Sequence, residues 1–155
     1  HQATTNWFYN TQFFFYLSSM ASFCLAGNVE SSSFTNAERL CDILKQTLPA
    51  CDIQKYVCLS KQWKLAQAQV CNEKGFDLTE VQKLQCAVWH EDGRFIGGAD
   101  AFAQYCKSTY SVKSDLELNE LPGIAKENVK VVEQMFAEST EGTVLLAVGS
   151  TSTSY

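Results

Sequence analysis

The side chains best able to do chemistry lie in one short segment around His90. The run Cys86–Asp92 (Cys-Ala-Val-Trp-His-Glu-Asp) places an imidazole beside two carboxylates. A histidine in such a setting can activate water as a general base, and aspartates can hold a calcium ion. The glycine-rich loop that such a calcium site needs upstream is missing from the sequence. We therefore interpret His90 as a surface histidine next to a turn.

Other motifs for catalysis or cofactor binding are absent from the sequence. Gly97 and Gly98 are adjacent, but they are not part of a G-x-G-x-x-G fingerprint. The chain also has no P-loop and no nucleophile elbow. We predict a protein that is not an enzyme and that holds no cofactor and no metal ion.

The cysteines predict an extracellular protein. There are seven of them in 155 residues, and no two form a C-x-x-C pair. That spacing argues against a zinc ribbon or a thioredoxin-type motif and favours disulfides in an oxidising compartment. The chain begins at His1 rather than methionine, which is typical of a secreted product that has lost its signal peptide. The disulfide candidates are Cys24, Cys41, Cys51, Cys58, Cys71, Cys86 and Cys106.

The charge distribution favours self-association over nucleic-acid binding. The net charge is −5, which is unfavourable for contact with phosphates. Between Arg39 and Lys64 there are five basic and two acidic residues, whereas the chain from Leu65 onward is acidic. Such an asymmetry can steer one copy onto another in antiparallel fashion, although an uneven solvated surface is the simpler interpretation. The apolar run Phe13–Leu17 is too short to span a membrane.

The hydrophobic spacing predicts helices along almost the whole chain. Thr35 and Glu38 form a capping box, and Pro49 ends the run that follows. Thr143–Val148 is predicted as a short strand with no identified partner. The predicted helices are Thr5 or Asn6 to Ala26, Thr35 to Leu48, Asp52 to Gly75, Thr79 to Trp89, Ala99 to Tyr110 and Pro122 to Gly142.

These elements add up to an all-α fold, a disulfide-stapled bundle of five to six helices. Residues 1–148 are predicted to form a single helical domain. Residues 149–155 are rich in serine and threonine and are predicted to be a tail or the start of a linker.

Three sequence features resemble the N-terminal domain of spider silk proteins (spidroins). Trp7 stands at the start of the first predicted helix, Ser33-Phe34-Thr35 introduces the second, and Met135–Ser139 (Met-Phe-Ala-Glu-Ser) closes the last. The resemblance implies a secreted five-helix bundle that forms an antiparallel homodimer as pH and salt fall. Residues implied to act in dimerisation and pH sensing are Trp7, Asp42, Lys55, Glu73 and Glu127.

The resemblance makes a secreted, non-enzymatic assembly domain of a silk-type protein the leading hypothesis. One alternative is a secreted lipid or small-ligand carrier similar to the elicitins, with a cavity along the aromatic first helix. A hydrolase similar to secreted phospholipase A2, using His90, is a further alternative.

Overall fold

The computed structural model describes residues 21–148 and shows a mixed α/β fold. A five-stranded sheet with the order β4-β3-β1-β2-β5 forms its centre. The elements are β1 (Ser22–Asn28), α1 (Ser32–Thr47), β2 (Asp52–Cys58), α2 (Ser60–Lys74), α3 (Leu78–Val81), β3 (Cys86–His90), β4 (Phe95–Gly97), α4 (Ala99–Tyr110), α5 (Leu121–Ala137) and β5 (Leu146–Val148). The prediction of an all-α bundle is therefore wrong.

The sheet is built on one β-α-β unit. Strands β1 and β2 are parallel, with Ser22 opposite Asp52 and Asn28 opposite Cys58, and α1 connects them. Strand β3 returns antiparallel to β1, β4 pairs antiparallel with β3, and β5 pairs antiparallel with β2. The parallel pair thus lies in the middle of the sheet, where both of its faces are covered.

Strand β1 was predicted as the end of a helix because it is buried on both faces. Its sequence Ser-Phe-Cys-Leu-Ala-Gly-Asn has six buried residues out of seven. A short, continuously apolar run cannot be assigned to helix or strand by periodicity alone. The part of the predicted first helix before residue 21, including Trp7, lies outside the described residues.

Two further strands replace predicted helices. Strand β2 occupies the beginning of the predicted helix Asp52–Gly75, and its alternate residues Ile53, Lys55 and Val57 point into the core. The helix α2 begins only at Ser60. Strand β3 occupies the end of the predicted helix Thr79–Trp89, of which only the short α3 is helical.

Several local predictions are confirmed. Helix α4 has the predicted bounds. Helix α5 carries Pro122 in its first turn, where the missing N–H breaks no hydrogen bond of the helix, but it ends at Ala137 and not at the predicted Gly142. The Asp92-Gly93 turn joins β3 to β4, with Gly93 at a φ of 100°. Of the predicted strand Thr143–Val148, the part Leu146–Val148 is present as β5, and its partner is β2.

Helices cover the sheet on both faces and divide the core in two. Helices α1, α4 and α5 pack together on one face, around Phe34, Leu44 and Phe102. Helices α2 and α3 cover the other face, around Trp63, Val81 and Trp89. None of the helices within residues 21–148 is long and apolar enough to cross a membrane.

All seven cysteines are buried free thiols, so the prediction of a disulfide-stapled bundle is wrong. The sheet separates them: Cys24, Cys58 and Cys71 lie in the core under α2, and the other four lie in the core under α1. Here cysteine acts as a small apolar core residue. Burial raises the pKa of Cys51 to about 11 and the pKa of Cys106 to about 12.

We expect these thiols to react with a thiol reagent only after unfolding. The thiolate is the reactive form, and burial disfavours it while also excluding the reagent. The measurement is the number of thiols labelled by a maleimide under native and denaturing conditions, without reductant. The expected result is none or few in the native chain and all seven in the denatured chain. Fewer than seven in the denatured chain would reveal a disulfide.

Candidate functional site at the carboxyl ends of the parallel strands

The topology creates a crevice where β1 and β2 end. After Asn28 the chain turns into α1 on one face of the sheet, and after Cys58 it turns into α2 on the other. In open α/β sheets, ligands bind at such a point, outside the carboxyl ends of the strands. A cavity of about 750 Å³ lies beside it, between the first turn of α2 and the end of α5 with the loop that follows.

Asn28 is the centre of a polar network at this crevice. Its side-chain amide donates to Ser60 Oγ at 2.9 Å and to Gln85 Oε1 at 3.0 Å. Its Oδ1 accepts a hydrogen bond from the backbone N–H of Glu30 at 3.0 Å. Asn28 is only 6% exposed. It therefore joins the end of β1 to the start of α2 and to the residue before β3.

The Glu30 carboxylate occupies the N-terminus of α2. Its Oε2 accepts a hydrogen bond from the backbone N–H of Ser60 at 2.5 Å. The residue before this helix, Leu59, has no side-chain oxygen with which to cap it. A helix N-terminus attracts anions because its first N–H groups are unpaired and its dipole is positive there. Glu30 thus takes the position that a phosphate would take at this end of the sheet.

A second polar cluster lies inside the core, between α1, β2 and α5. Lys55 Nζ lies 3.4 Å from Glu38 Oε2, and Asn128 Nδ2 donates to Glu38 Oε1 at 3.5 Å. Lys55 and Glu38 are each 1% exposed, and Asp42, one turn after Glu38 on α1, is 7% exposed. We call Glu38, Asp42, Lys55 and Asn128 the buried charge cluster. Beside it is a cavity of about 360 Å³.

His90 lies at the end of β3 among aromatic rings. Its ring centroid is 5.2 Å from that of Phe23 and 5.4 Å from that of Tyr105. Burial and the nearby Arg94 guanidinium lower the pKa of His90. The Asp92 carboxylate accepts hydrogen bonds from Arg94 Nε, so its observed partner is Arg94. In residues 21–148 no group of three or more histidine, cysteine or acidic side chains is placed to hold a metal ion.

The structure brings together two of the five residues that the sequence indicated for pH sensing. Asp42 and Lys55 belong to the buried charge cluster. Glu73 is exposed near the end of α2, and Glu127 is exposed on α5, 3.2 Å from Lys130 Nζ. Trp7 lies outside the described residues. The proposed dimer role of these five residues stays a prediction.

Sequence reasoning missed Asn28, Glu30, Glu38 and Ser60 as site residues. Polar residues at the end of an apolar run were the available signal, since Asn28 is the last residue of β1, Glu30 comes two residues later, and Ser60 comes two residues after β2. That signal has meaning only once the runs are known to be parallel strands. Glu38 was assigned to a capping box, whereas the helix is capped by Ser31, whose side chain accepts from the N–H of Ser33.

Two curated relatives resemble the chain at low identity. A "Putative malate dehydrogenase 1B" of Branchiostoma floridae is 27% identical over 125 residues, which are 77% of this chain and 23% of that protein. A protein of the same name from Bos taurus is 26% identical over 133 residues, 81% of this chain and 27% of that protein. The chain therefore spans about a quarter of the length of these relatives.

The family comparison overturns the silk resemblance. A model described as "Putative malate dehydrogenase 1B N-terminal domain" matches residues 22–143. The silk assembly function and the secreted location are wrong, because both depended on that resemblance and on disulfides that the structure does not contain. The lipid-carrier and phospholipase alternatives find no support either. The chain belongs to the family of putative malate dehydrogenase 1B N-terminal domains.

Proposed function

We propose that this chain is a non-catalytic accessory domain, which acts through contact with a dehydrogenase-type catalytic domain. The relatives are named malate dehydrogenases, and the matching segment is about a quarter of their length. The other three quarters of each relative are long enough to contain a separate catalytic domain with the activity in its name. On this proposal the segment itself contributes neither the cofactor site nor the reacting groups.

The Glu30–Ser60 contact is the observation that carries the proposal. A dinucleotide bound at the carboxyl end of an open sheet places its pyrophosphate on a helix N-terminus. Here Glu30 places a carboxylate in the β1–α1 connection and on the N-terminus of α2, and Asn28 donates hydrogen bonds to Ser60 and Gln85 beside it. A phosphate would have to displace Glu30 and approach its negative charge.

The buried thiols support the same conclusion. A cysteine nucleophile needs a lowered pKa and an exposed sulfur. In this chain burial raises the pKa of Cys58 and of Cys86 to about 12. These groups are suited to packing and not to covalent catalysis.

We expect the 155-residue chain to bind no nicotinamide dinucleotide and to show no malate dehydrogenase activity. Binding is measured by calorimetry with NAD, and activity by the absorbance of reduced nicotinamide. A full-length relative such as the Branchiostoma floridae protein provides the comparison, assayed with and without the segment that matches this chain. Saturable NAD binding or turnover by the 155-residue chain would overturn the proposal.

A pair of variants tests the role of Glu30 directly. Glu30→Ala removes the carboxylate from the start of α2 and should cost about 0.5–2 kcal/mol of stability, as the loss of a cap does. Inorganic phosphate should then raise the melting temperature of this variant more than that of the parent. Glu133→Ala, at the same cavity but on α5, is the matched control and should respond to phosphate like the parent. An equal phosphate response in parent and Glu30→Ala would show that Glu30 does not occupy an anion position.

A further inference from the structure

The buried charge cluster contains more acids than bases. Lys55 is one cation, and Glu38 and Asp42 are two carboxylates on successive turns of the same face of α1. All three are more than nine-tenths buried. Two ionised carboxylates and one ammonium group would leave a net negative charge in the core, where it is poorly solvated. The cluster is neutral when one carboxyl group holds a proton.

Glu38 is the more deeply buried of the two carboxyl groups and is therefore the candidate for this proton. Burial raises the pKa of Glu38 to about 8, and the Asp42 charge raises it further, whereas Lys55 opposes the change. The contacts of Glu38 with Lys55 and Asn128, at 3.4 and 3.5 Å, are long for charge-assisted hydrogen bonds. Neither contact therefore requires Glu38 to be ionised.

Among residues 21–148, Lys55 is the cation that lies buried beside Glu38. On α1 the neighbouring thiol of Cys41 is fully buried, and burial raises its pKa well above the usual value. At the mouth of the adjoining cavity, the Arg39 guanidinium donates two hydrogen bonds of 2.7 Å to the Asp115 carboxylate. Glu120 adds a further acid to the same cavity wall. A deprotonated Glu38 would therefore face the Lys55 ammonium and the Asp42 carboxylate inside the core, with Glu120 and the Arg39–Asp115 pair at the cavity wall.

We propose that the buried charge cluster is a proton-controlled contact that holds helix α5 against α1 and β2. With a proton on Glu38 the cluster is neutral, and Asn128 links α5 to it. When that proton leaves, the net negative charge draws water inward from the cavity between α1 and the start of α5. Helix α5 then loosens from the sheet while the parallel strands stay paired.

The first test compares the pH dependence of unfolding in the parent and in Glu38→Gln. The folded-state pKa lies above the ordinary value of 4.5, so the contribution of Glu38 is complete below 4.5 and is lost as pH rises toward 8. The unfolding constant of the parent, divided by that of Glu38→Gln, should rise at least about tenfold between pH 5 and pH 8. A ratio that stays constant over this range would overturn the proposal.

The second test locates the opening. Amide hydrogen exchange in α5 should be faster in the parent than in Glu38→Gln at about pH 9, and equal in the two proteins at about pH 6. Glu127→Gln changes an exposed carboxylate on the same helix and is the matched control, with no expected difference. Faster exchange spread evenly over β1, β2 and α5 would indicate general destabilisation and would contradict the proposed local opening.

Direct titration covers the case in which Glu38→Gln does not fold. Carbon-13 NMR of the parent, labelled at the glutamate carboxyls, should show one group titrating near pH 8. If every glutamate carboxyl titrates below about pH 6, close to ordinary values, Glu38 holds no proton at neutral pH and the proposal fails.

Discussion

Lys55→Ala is expected to lower the free energy of unfolding by about 3–5 kcal/mol near neutral pH. Lys55 is the buried cation 3.4 Å from Glu38. Its removal takes this positive charge away from the buried Glu38 and Asp42 carboxyl groups. While Glu38 holds its proton, Asp42 is the ionised carboxylate that loses the lysine, and a buried charge that loses a counter-charge and cannot reach water is costly. The measurement is chemical denaturation followed by circular dichroism.

Two further variants separate this effect from the general cost of shortening a lysine. Lys64→Ala changes an exposed lysine on α2 and should alter stability by less than about 0.5 kcal/mol. Lys55→Met combined with Asp42→Asn removes the lysine together with the carboxylate that stays ionised while Glu38 holds its proton, and it should recover part of the loss. A Lys55→Ala protein within about 1 kcal/mol of the parent would show that the buried pair contributes little.

Gly27→Ala is expected to destabilise the protein by about 1–3 kcal/mol through overpacking. Gly27 lies near the end of β1, where α1 passes close to the strand. A β-carbon at this position would lie 2.8 Å from Cys86 Cβ and would also meet the ring of Phe34. Both neighbours are fully buried, so neither can move aside without disturbing the core.

The matched control is Gly123→Ala in the first turn of α5. A β-carbon there would meet nothing within 4 Å. Alanine is the better helix former by up to about 1 kcal/mol, so this variant should be as stable as the parent or slightly more stable. The change in the free energy of unfolding should therefore be clearly negative for Gly27→Ala and near zero or positive for Gly123→Ala. Equal effects on the denaturation midpoint would contradict a steric role for Gly27.

The candidate site could be predicted only in fragments. Lys55 and Asp42 were selected through a resemblance that the family comparison overturned, yet both lie in the buried charge cluster. Lys55 lies in a strand, where its side chain points inward between Ile53 and Val57. Helical periodicity could not place it there. The partners Glu38 and Asn128 are 90 residues apart in the chain, and no local pattern relates them.

The cysteines show how composition can mislead. Seven cysteines in 155 residues pointed to disulfides and a secreted protein. The sheet places three on one face and four on the other, and each fills a small gap in an apolar core. Cysteine counts carry information about disulfides only together with distances between sulfur atoms, which the sequence does not contain.

By itself the sequence determined the features that depend on near neighbours in the chain. The bounds of α4, the proline in the first turn of α5 and the Asp92-Gly93 turn all follow from local rules of capping, periodicity and backbone conformation. The tertiary structure alone decided that Ser22–Asn28, Asp52–Cys58 and Cys86–His90 are strands, because a strand is stable only with partners that are distant in sequence. Pairing of β1 with β2 then brought Glu30 to Ser60 and Glu38 to Lys55, and these contacts form the two polar clusters described above.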